Sequence, residues 1–71
     1  MAFYTNQTRH NSIVTILVQT TNDPKKSIEK GPNVAIIAAS IGYHDILVEP
    51  GFELSLSANT TATLVGVRGD G

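Results

Sequence analysis

The side chains that could carry acid–base chemistry are few in this chain. His44 and Asp45 are adjacent and form the one neighbouring histidine–carboxylate pair. Acid–base catalysis needs such groups to be held together beside a reacting atom. Neighbouring residues of a strand point to opposite faces, so the two side chains cannot meet if this segment is a strand. No nucleophile constellation accompanies them. We therefore predict no catalytic residues and no enzyme activity, since an enzyme would need polar groups converging near His44.

The sequence also has few features of a metal, cofactor or nucleic-acid site. It contains no cysteine, and its six glycines stand singly, outside any phosphate-binding loop motif. The formal net charge is −1, and the basic cluster Lys25, Lys26 and Lys30 has no interleaved aromatic residue. We predict that this cluster is the solvated tip of a loop. We expect no cofactor, no metal and no specific nucleic acid, and no apolar run approaches the roughly 20 residues of a membrane span.

The sequence contains two short motif matches, of which one concerns receptor recognition and the other concerns modification of a secreted protein. The tripeptide Arg68-Gly69-Asp70 matches one that integrin ligands present on exposed loops. Asn6-Gln7-Thr8 has the pattern of a glycosylation site. Matches of three residues are common by chance. Our alternative prediction is a receptor- or carbohydrate-binding module that uses Tyr4, Tyr43 or the Arg68-Gly69-Asp70 tripeptide.

Alternating apolar and polar residues indicate the strands that must position these groups. Residues 13–21 are dense in β-branched side chains and have one apolar row at every second position. Strands are also predicted over 43–49, over 52–58 and over 61–68, with Gly66 at a bulge or close approach. Glu49-Pro50-Gly51 predicts a tight turn before the strand over 52–58. The predicted core residues are Val14, Ile16, Val18, Ile36, Leu54, Leu56 and Leu64.

Three segments are less regular. Residues 22–32 read as a polar loop with one helical turn, which Asp23 caps and Pro24 begins. Residues 34–41 fit helical spacing, but their length and their isoleucines favour a strand covered on both faces. Residues 1–8 form either a short strand or an extended N-terminal arm. Together these patterns predict a single all-β domain over residues 1–71, a sandwich or barrel of five to six short antiparallel strands.

The size and the surface composition together predict a partner chain. A domain of 71 residues is marginally stable without a disulfide, a metal or a neighbour. Charged residues make up 15% of the chain, against about 25% in average soluble domains. Threonine, serine and asparagine take their place, and buried hydroxyls cost less than buried charges. A surface packed against protein explains this composition, as does an ordinary small β-domain with a threonine-rich exposed face.

Residues 46–69 resemble the strand–turn–strand endings of small structural proteins of tailed bacteriophages. The shared features are a Pro50-Gly51 turn, a Leu/Ser/Thr alternation and a final strand that contains glycine. The resemblance covers about a third of the chain. It implies a multimeric virion component, such as a head decoration (cement) protein.

We therefore expect a non-enzymatic virion subunit that bridges and stabilises neighbouring shell subunits. Its partners would be the major capsid protein and further copies of itself, in a homo-oligomer that is made in the host cytoplasm and located in the virion. Another small component of the tail or head–tail region is a second possibility. Edge strands, the N-terminal arm and the C-terminal tail would form the contacts. The predicted interface residues are Phe3, Tyr4, Tyr43, Arg68 and Asp70.

Overall fold

A computed structural model describes residues 2–32 and 35–70 and shows two antiparallel β-sheets. A four-stranded sheet has the order β1-β6-β3-β4, and a three-stranded sheet has the order β5-β2-β7. The described strands are β1 (Tyr4–Thr5), β2 (Asn11–Thr20), β3 (Ile28–Gly31), β4 (Ala35–Ile37), β5 (Gly42–Val48), β6 (Glu53–Leu56) and β7 (Thr61–Asp70). The all-β, antiparallel prediction is confirmed, with two separate sheets as in a sandwich, and the described residues form seven strands where five to six were predicted. No helix within the described residues has the length and apolar character of a membrane-crossing segment.

The core lies between the sheets and is built mainly on β2. Val14, Ile16 and Val18 are fully buried, as their period of two predicts. Their branched side chains suit a pleated strand and fill the space beneath it. The other buried apolar side chains come from β5, from both central strands of the four-stranded sheet and from the segment after β4. They are Ile46, Val48, Ile28, Leu54 and Ala39.

The turn between β5 and β6 is the one that the sequence predicts. The Phe52 amide donates to the Glu49 carbonyl at 3.0 Å. Proline presets φ at the second position, and Gly51 takes the positive φ of +79° that the third position requires. This turn carries the chain from one sheet to the other, so Val48 and Leu54 both reach the core.

The polar loop predicted over 22–32 is shorter than expected. Pro24–Lys26 forms one turn of 3-10 helix, and the Asp23 side chain accepts from the Lys25 amide, as predicted. The prediction is wrong for the end of the segment, because Ile28–Gly31 is β3, a central strand of its sheet. Ile28 is fully buried. A single apolar residue among polar ones gives little strand signal in the sequence. Residues 28–31 are held in a strand by their pairing with β4 and β6.

The strand predicted over 34–41 is reduced to the edge strand β4. Asn33 and Val34 lie outside the described residues. The expected cover on both faces is wrong: Ile36, a predicted core residue, is 51% exposed, and Ile41 is 67% exposed. Ala39, beyond the strand, fills the core instead. An edge strand at the end of a small sheet has too few neighbours to bury both of its faces.

The N-terminal segment belongs to the sandwich as a strand. β1 pairs with β6, and the Phe3 amide donates to the Leu54 carbonyl at 2.7 Å. Asn6 is fully buried. Its side-chain amide nitrogen donates to the carbonyls of His10 and Val48, each at 2.8 Å. Its side-chain oxygen accepts from the Thr8 amide and hydroxyl. A fully buried and fully bonded asparagine leaves no room for the glycan that the sequence pattern suggested.

β7 pairs with β2 along its whole length but is poorly covered. A bulge at Val65–Gly66 interrupts the register, as the predicted special role of Gly66 anticipated. No neighbouring atom approaches Gly66 closely, so the bulge is the correct alternative. Leu64 is 42% exposed, and its prediction as a core residue is wrong. The sequence pattern of a half-buried strand is present, but the second sheet does not reach it.

Candidate protein-interaction surface

The three-stranded sheet has a second side that faces away from the core. Because Val14, Ile16 and Val18 point inward, the alternate residues of β2 point outward. In the register with β5, Ile13 lies opposite Leu47 and Leu17 lies opposite Tyr43. The same side also carries Asn11 of β2 and, on β7, the partners of these outward residues, which include Thr63, Gly66 and Asp70. We call the central part of this side the outer face; its members are Ile13, Thr15, Leu17, Tyr43, Asp45, Leu47 and Arg68.

The outer face is unusually apolar for a sheet side without a covering layer. Tyr43 is 69% exposed and Leu47 is 40% exposed, while Ile13 and Leu17 are half-buried by their neighbours. Antiparallel sheets that face water on one side normally carry polar residues there. Two cross-strand apolar pairs therefore leave a patch that would be stabilised by a partner.

A polar row separates the two apolar pairs. The Thr15 hydroxyl donates to the Asp45 carboxylate at 2.5 Å. The Arg68 guanidinium lies 3.7 Å from the other oxygen of the same carboxylate, and both side chains are more than half exposed. An ion pair this exposed contributes little to stability. Its groups keep unused hydrogen-bonding capacity that a partner could meet.

Three of the five predicted interface residues lie on one side of the three-stranded sheet. Tyr43 and Arg68 lie on the outer face. Asp70 ends β7 opposite Asn11, on the same side as Arg68, and is exposed. Phe3 and Tyr4 lie at the far edge of the other sheet, where both are half-buried and pack against the core of their own chain. The predicted interface role of these five residues stays a prediction.

The Arg68-Gly69-Asp70 tripeptide lies within β7 rather than in a loop. Its residues pair in register with Ile13, Ser12 and Asn11 of β2. An extended, paired backbone differs from the exposed loop in which the motif is usually presented.

His44 and Asp45 diverge across β5, as their adjacency predicts. His44 lies opposite the buried Ile16, and its Nε2 is 2.7 Å from the Ser40 carbonyl oxygen. Asp45 lies on the outer face. Over residues 2–32 and 35–70 the surface has no pocket, and no three metal-ligating side chains come together.

Lys30 occupies a different position from the one that its sequence neighbours suggested. Lys25 and Lys26 are exposed on the 3-10 turn. Lys30 instead lies on β3, and its Nζ is 2.7 Å from Glu49 Oε1, just beyond β5. The same ammonium group lies 5.7 Å from the centre of the Phe52 ring. The predicted three-lysine loop tip is therefore wrong for Lys30, which joins the two sheets.

This contact also changes the chemistry of Glu49. The hydrogen bond from Lys30 holds the pKa of the Glu49 carboxyl below its ordinary value of 4.5, and a local backbone hydrogen bond acts in the same direction. Partial burial opposes the effect weakly. Glu49 therefore stays ionised to lower pH than a free glutamate.

Several threonine hydroxyls bond within the chain rather than facing a partner. The hydroxyls of Thr20 and Thr61 bond to each other where β2 meets β7. The Thr21 and Thr60 hydroxyls form a second pair at 3.1 Å. Part of the threonine content is thus explained by closure of this end of the sheet.

The apolar members of the outer face had a weak signal in the sequence. Residues 13–19 contain two interleaved rows, and the second of them mixes Ile13 and Leu17 with polar residues. Sequence reasoning could identify that row as half covered. Its meeting with Tyr43 and Leu47 depends on the pairing of β2 with β5, which no local pattern specifies.

The chain matches no protein-family model, no curated protein and no solved structure. The geometry of the outer face and the sequence resemblance are therefore the basis for a functional proposal.

Proposed function

We propose that this protein is a non-enzymatic structural subunit of a virion. In this role it is a capsid decoration protein that binds the major capsid protein across neighbouring subunits and stabilises the shell. The observation that carries the proposal is the outer face, which exposes two cross-strand apolar pairs beside the exposed Arg68–Asp45 ion pair. The sequence resemblance supplies the kind of assembly to which such a surface belongs.

The composition of the outer face suits a protein partner. Protein interfaces are enriched in tyrosine and arginine at their centres, and these residues dominate measured binding energies. Here Tyr43 is the most exposed large apolar side chain of the described residues. Arg68 lies two strands away on the same face. Removing apolar area from water contributes about 25 cal/mol per Å² before the entropic cost of association is subtracted, which favours covering the two apolar pairs.

The scaffold behind the outer face is suited to docking without rearrangement. The inward residues of β2 are fully buried, so the strand that carries Ile13 and Leu17 is held by the core. Rigid sheet surfaces lose little conformational entropy on binding. A decoration protein that contacts more than one shell subunit favours the assembled shell by mass action, because separated subunits offer it fewer contacts.

A test is binding of the isolated protein to stripped shells of the virus that encodes it. We expect Tyr43→Ala to weaken binding by about 2 kcal/mol, roughly thirtyfold, as for a central aromatic contact. Ile36→Ala is the matched control, because Ile36 is also a large exposed apolar residue but lies on β4 of the other sheet. Equal binding by Tyr43→Ala and wild-type protein, or no binding of wild-type protein to the shell, would contradict the proposal.

The exposure of Tyr43 also favours one alternative, a receptor- or carbohydrate-binding module. An exposed aromatic ring can present an apolar face to a ligand while its hydroxyl makes a hydrogen bond. Binding to a glycan array that Tyr43→Ala abolishes, without binding to shells, would favour this alternative. Binding to purified tails rather than heads would identify the protein as a different virion component.

A further inference from the structure

The outer edge of β7 is the longest exposed strand edge in the described structure. The two sheets end in four edge strands, β1, β4, β5 and β7, with two, three, seven and ten residues. An edge strand presents backbone amides and carbonyls that no neighbour satisfies. β7 therefore offers a long template for pairing with another strand.

β7 has little of the protection that edge strands usually carry. Charged residues, prolines, bulges and very short strands normally prevent edge-to-edge association. The first seven residues of β7 contain no charge and no proline, and the two charged residues come at its end. The bulge at Val65–Gly66 changes the register but leaves strand on both sides of it.

The bulge gives the strand a self-complementary pattern. Leu64 pairs in register with Ile16, and Val67 pairs with Val14. Both partners on β2 point into the core, so Leu64 and Val67 point to the same side although three positions separate them. These two side chains are 42% and 45% exposed. An apolar pair therefore lies at the inner side of the sheet, beside an unpaired edge.

We infer that β7 pairs antiparallel with β7 of a second copy of this chain, about a two-fold axis between Val65 and Gly66. This register places Leu64 opposite the second copy's Val67, and Val67 opposite the second copy's Leu64. Thr63 then lies opposite the second copy's Arg68. Inner residues meet inner residues, no like charges are opposed, and the two bulges face each other.

The strand that pairs with β7 comes from a second copy of this chain, because the order of inner and outer residues along β7 is self-complementary. In a two-fold antiparallel pair, each residue is opposed by the residue at the mirrored position, and only matching faces can pair. β7 meets this condition for residues 61–64 and 67–70, on either side of the bulge. The corresponding full-length pairing of β5 would place Asp45 against the second copy's Asp45, which is unfavourable for like charges directly opposite.

The resulting dimer has a continuous six-stranded sheet with the order β5-β2-β7-β7-β2-β5. The exposed Leu64 and Val67 of the two copies meet along its centre and cover one another. This inference concerns an edge rather than the outer face, so it stands or fails separately from the binding of a shell.

The test measures self-association of the whole chain by sedimentation equilibrium at micromolar concentrations. We expect wild-type protein to dimerise. The double variants L64K/V67K and L64E/V67E each place like charges opposite one another at two contacts, so each should dimerise at least about tenfold more weakly. An equimolar mixture of the two should restore dimers, because each lysine of one variant then opposes a glutamate of the other.

Leu47→Lys is the matched control, because it adds the same charge to an exposed leucine on the outer face. It should leave the dimer intact while weakening shell binding. Circular dichroism of each variant alone establishes that it is folded. Monomeric wild-type protein at high micromolar concentration would overturn the inference, as would a mixture of folded variants that stays monomeric. Neither outcome would alter the shell-binding test.

Discussion

β2 and β7 have the same length and are neighbours in one sheet, yet their environments differ sharply. Each has ten residues, and they pair along their whole length. The inward residues Val14, Ile16 and Val18 of β2 are fully buried. Leu64 and Val67 of β7 lie opposite Ile16 and Val14, yet they stay more than two-fifths exposed. Pairing satisfies the backbone of a strand, whereas burial of its side chains requires a second layer.

The second layer covers only part of the three-stranded sheet. The buried contributions come from β2 and β5 of this sheet and from β3 and β6 of the other. Of β7, Ala62 alone among the apolar residues packs against the core. The sandwich is therefore closed over β2 and β5 and open over β7. Stability comes from the closed side, and the open side is available for assembly.

The largest expected effect contrasts two residues of one register pair, Ile16 and Leu64. Ile16→Ala should lower the free energy of unfolding by about 2–5 kcal/mol, because it leaves a cavity in the core. Leu64→Ala should lower it by about 1 kcal/mol or less, because much of that side chain already contacts water. Urea unfolding of both variants measures the difference.

The unfolding measurement also separates the monomer from the dimer. At protein concentrations low enough for monomers, the two substitutions should differ as stated. At higher concentrations the effect of Leu64→Ala should grow, because the proposed dimer would bury that side chain. If both variants lost a similar free energy of unfolding as monomers, β7 would be covered as well as β2 is. The contrast between the two strands would then be absent.

A smaller effect is expected at Asn6, one of several buried polar residues. Asn6→Ala removes the side-chain donor from the carbonyls of His10 and Val48, and the His10 carbonyl keeps a second donor, the Thr8 hydroxyl. Unsatisfied buried groups cost about 1–3 kcal/mol, so we expect a loss of this order in thermal or urea unfolding. Asn22→Ala is the control, because Asn22 is exposed and precedes the 3-10 turn. Equal stability of both variants would show that Asn6 does not order the N-terminal segment.

The smallest effect is the pH dependence of the contact between the sheets. Because Lys30 lowers the pKa of Glu49 in the folded protein, this contact stabilises the fold above the ordinary pKa of 4.5. That contribution should be lost as the pH falls through the lowered folded pKa. Glu49→Gln should abolish this part of the pH dependence, measured as the midpoint of unfolding from neutral pH downward.

Lys30→Gln is the companion variant, because it removes the cation and leaves the carboxyl. It should remove most of the same pH-dependent part of the stability, since the hydrogen bond from Lys30 is the largest cause of the lowered pKa of Glu49. Identical pH profiles for Glu49→Gln and wild-type protein would show that the contact does not act in solution. The Arg68–Asp45 pair on the outer face is longer and more exposed, so its removal should change stability very little.

Local patterns determined the strands whose signals were strong. The alternation in 13–21 predicted the buried row of β2. Pro50-Gly51 predicted its turn because proline and glycine restrict the backbone locally. The separation of His44 from Asp45 followed from the geometry of any strand.

Tertiary structure decided what lies above each strand and which strands are neighbours. Leu64 and Ile36 have the residue types of core positions, but no second layer covers them. Ile28, Ala39 and Asn6 had weak signals and are fully or almost fully buried. A side chain's hydropathy and spacing determine which way it points in a strand, while its burial depends on residues distant in the chain. For that reason the sequence predicted the strands of this sandwich, and only the fold revealed its open side.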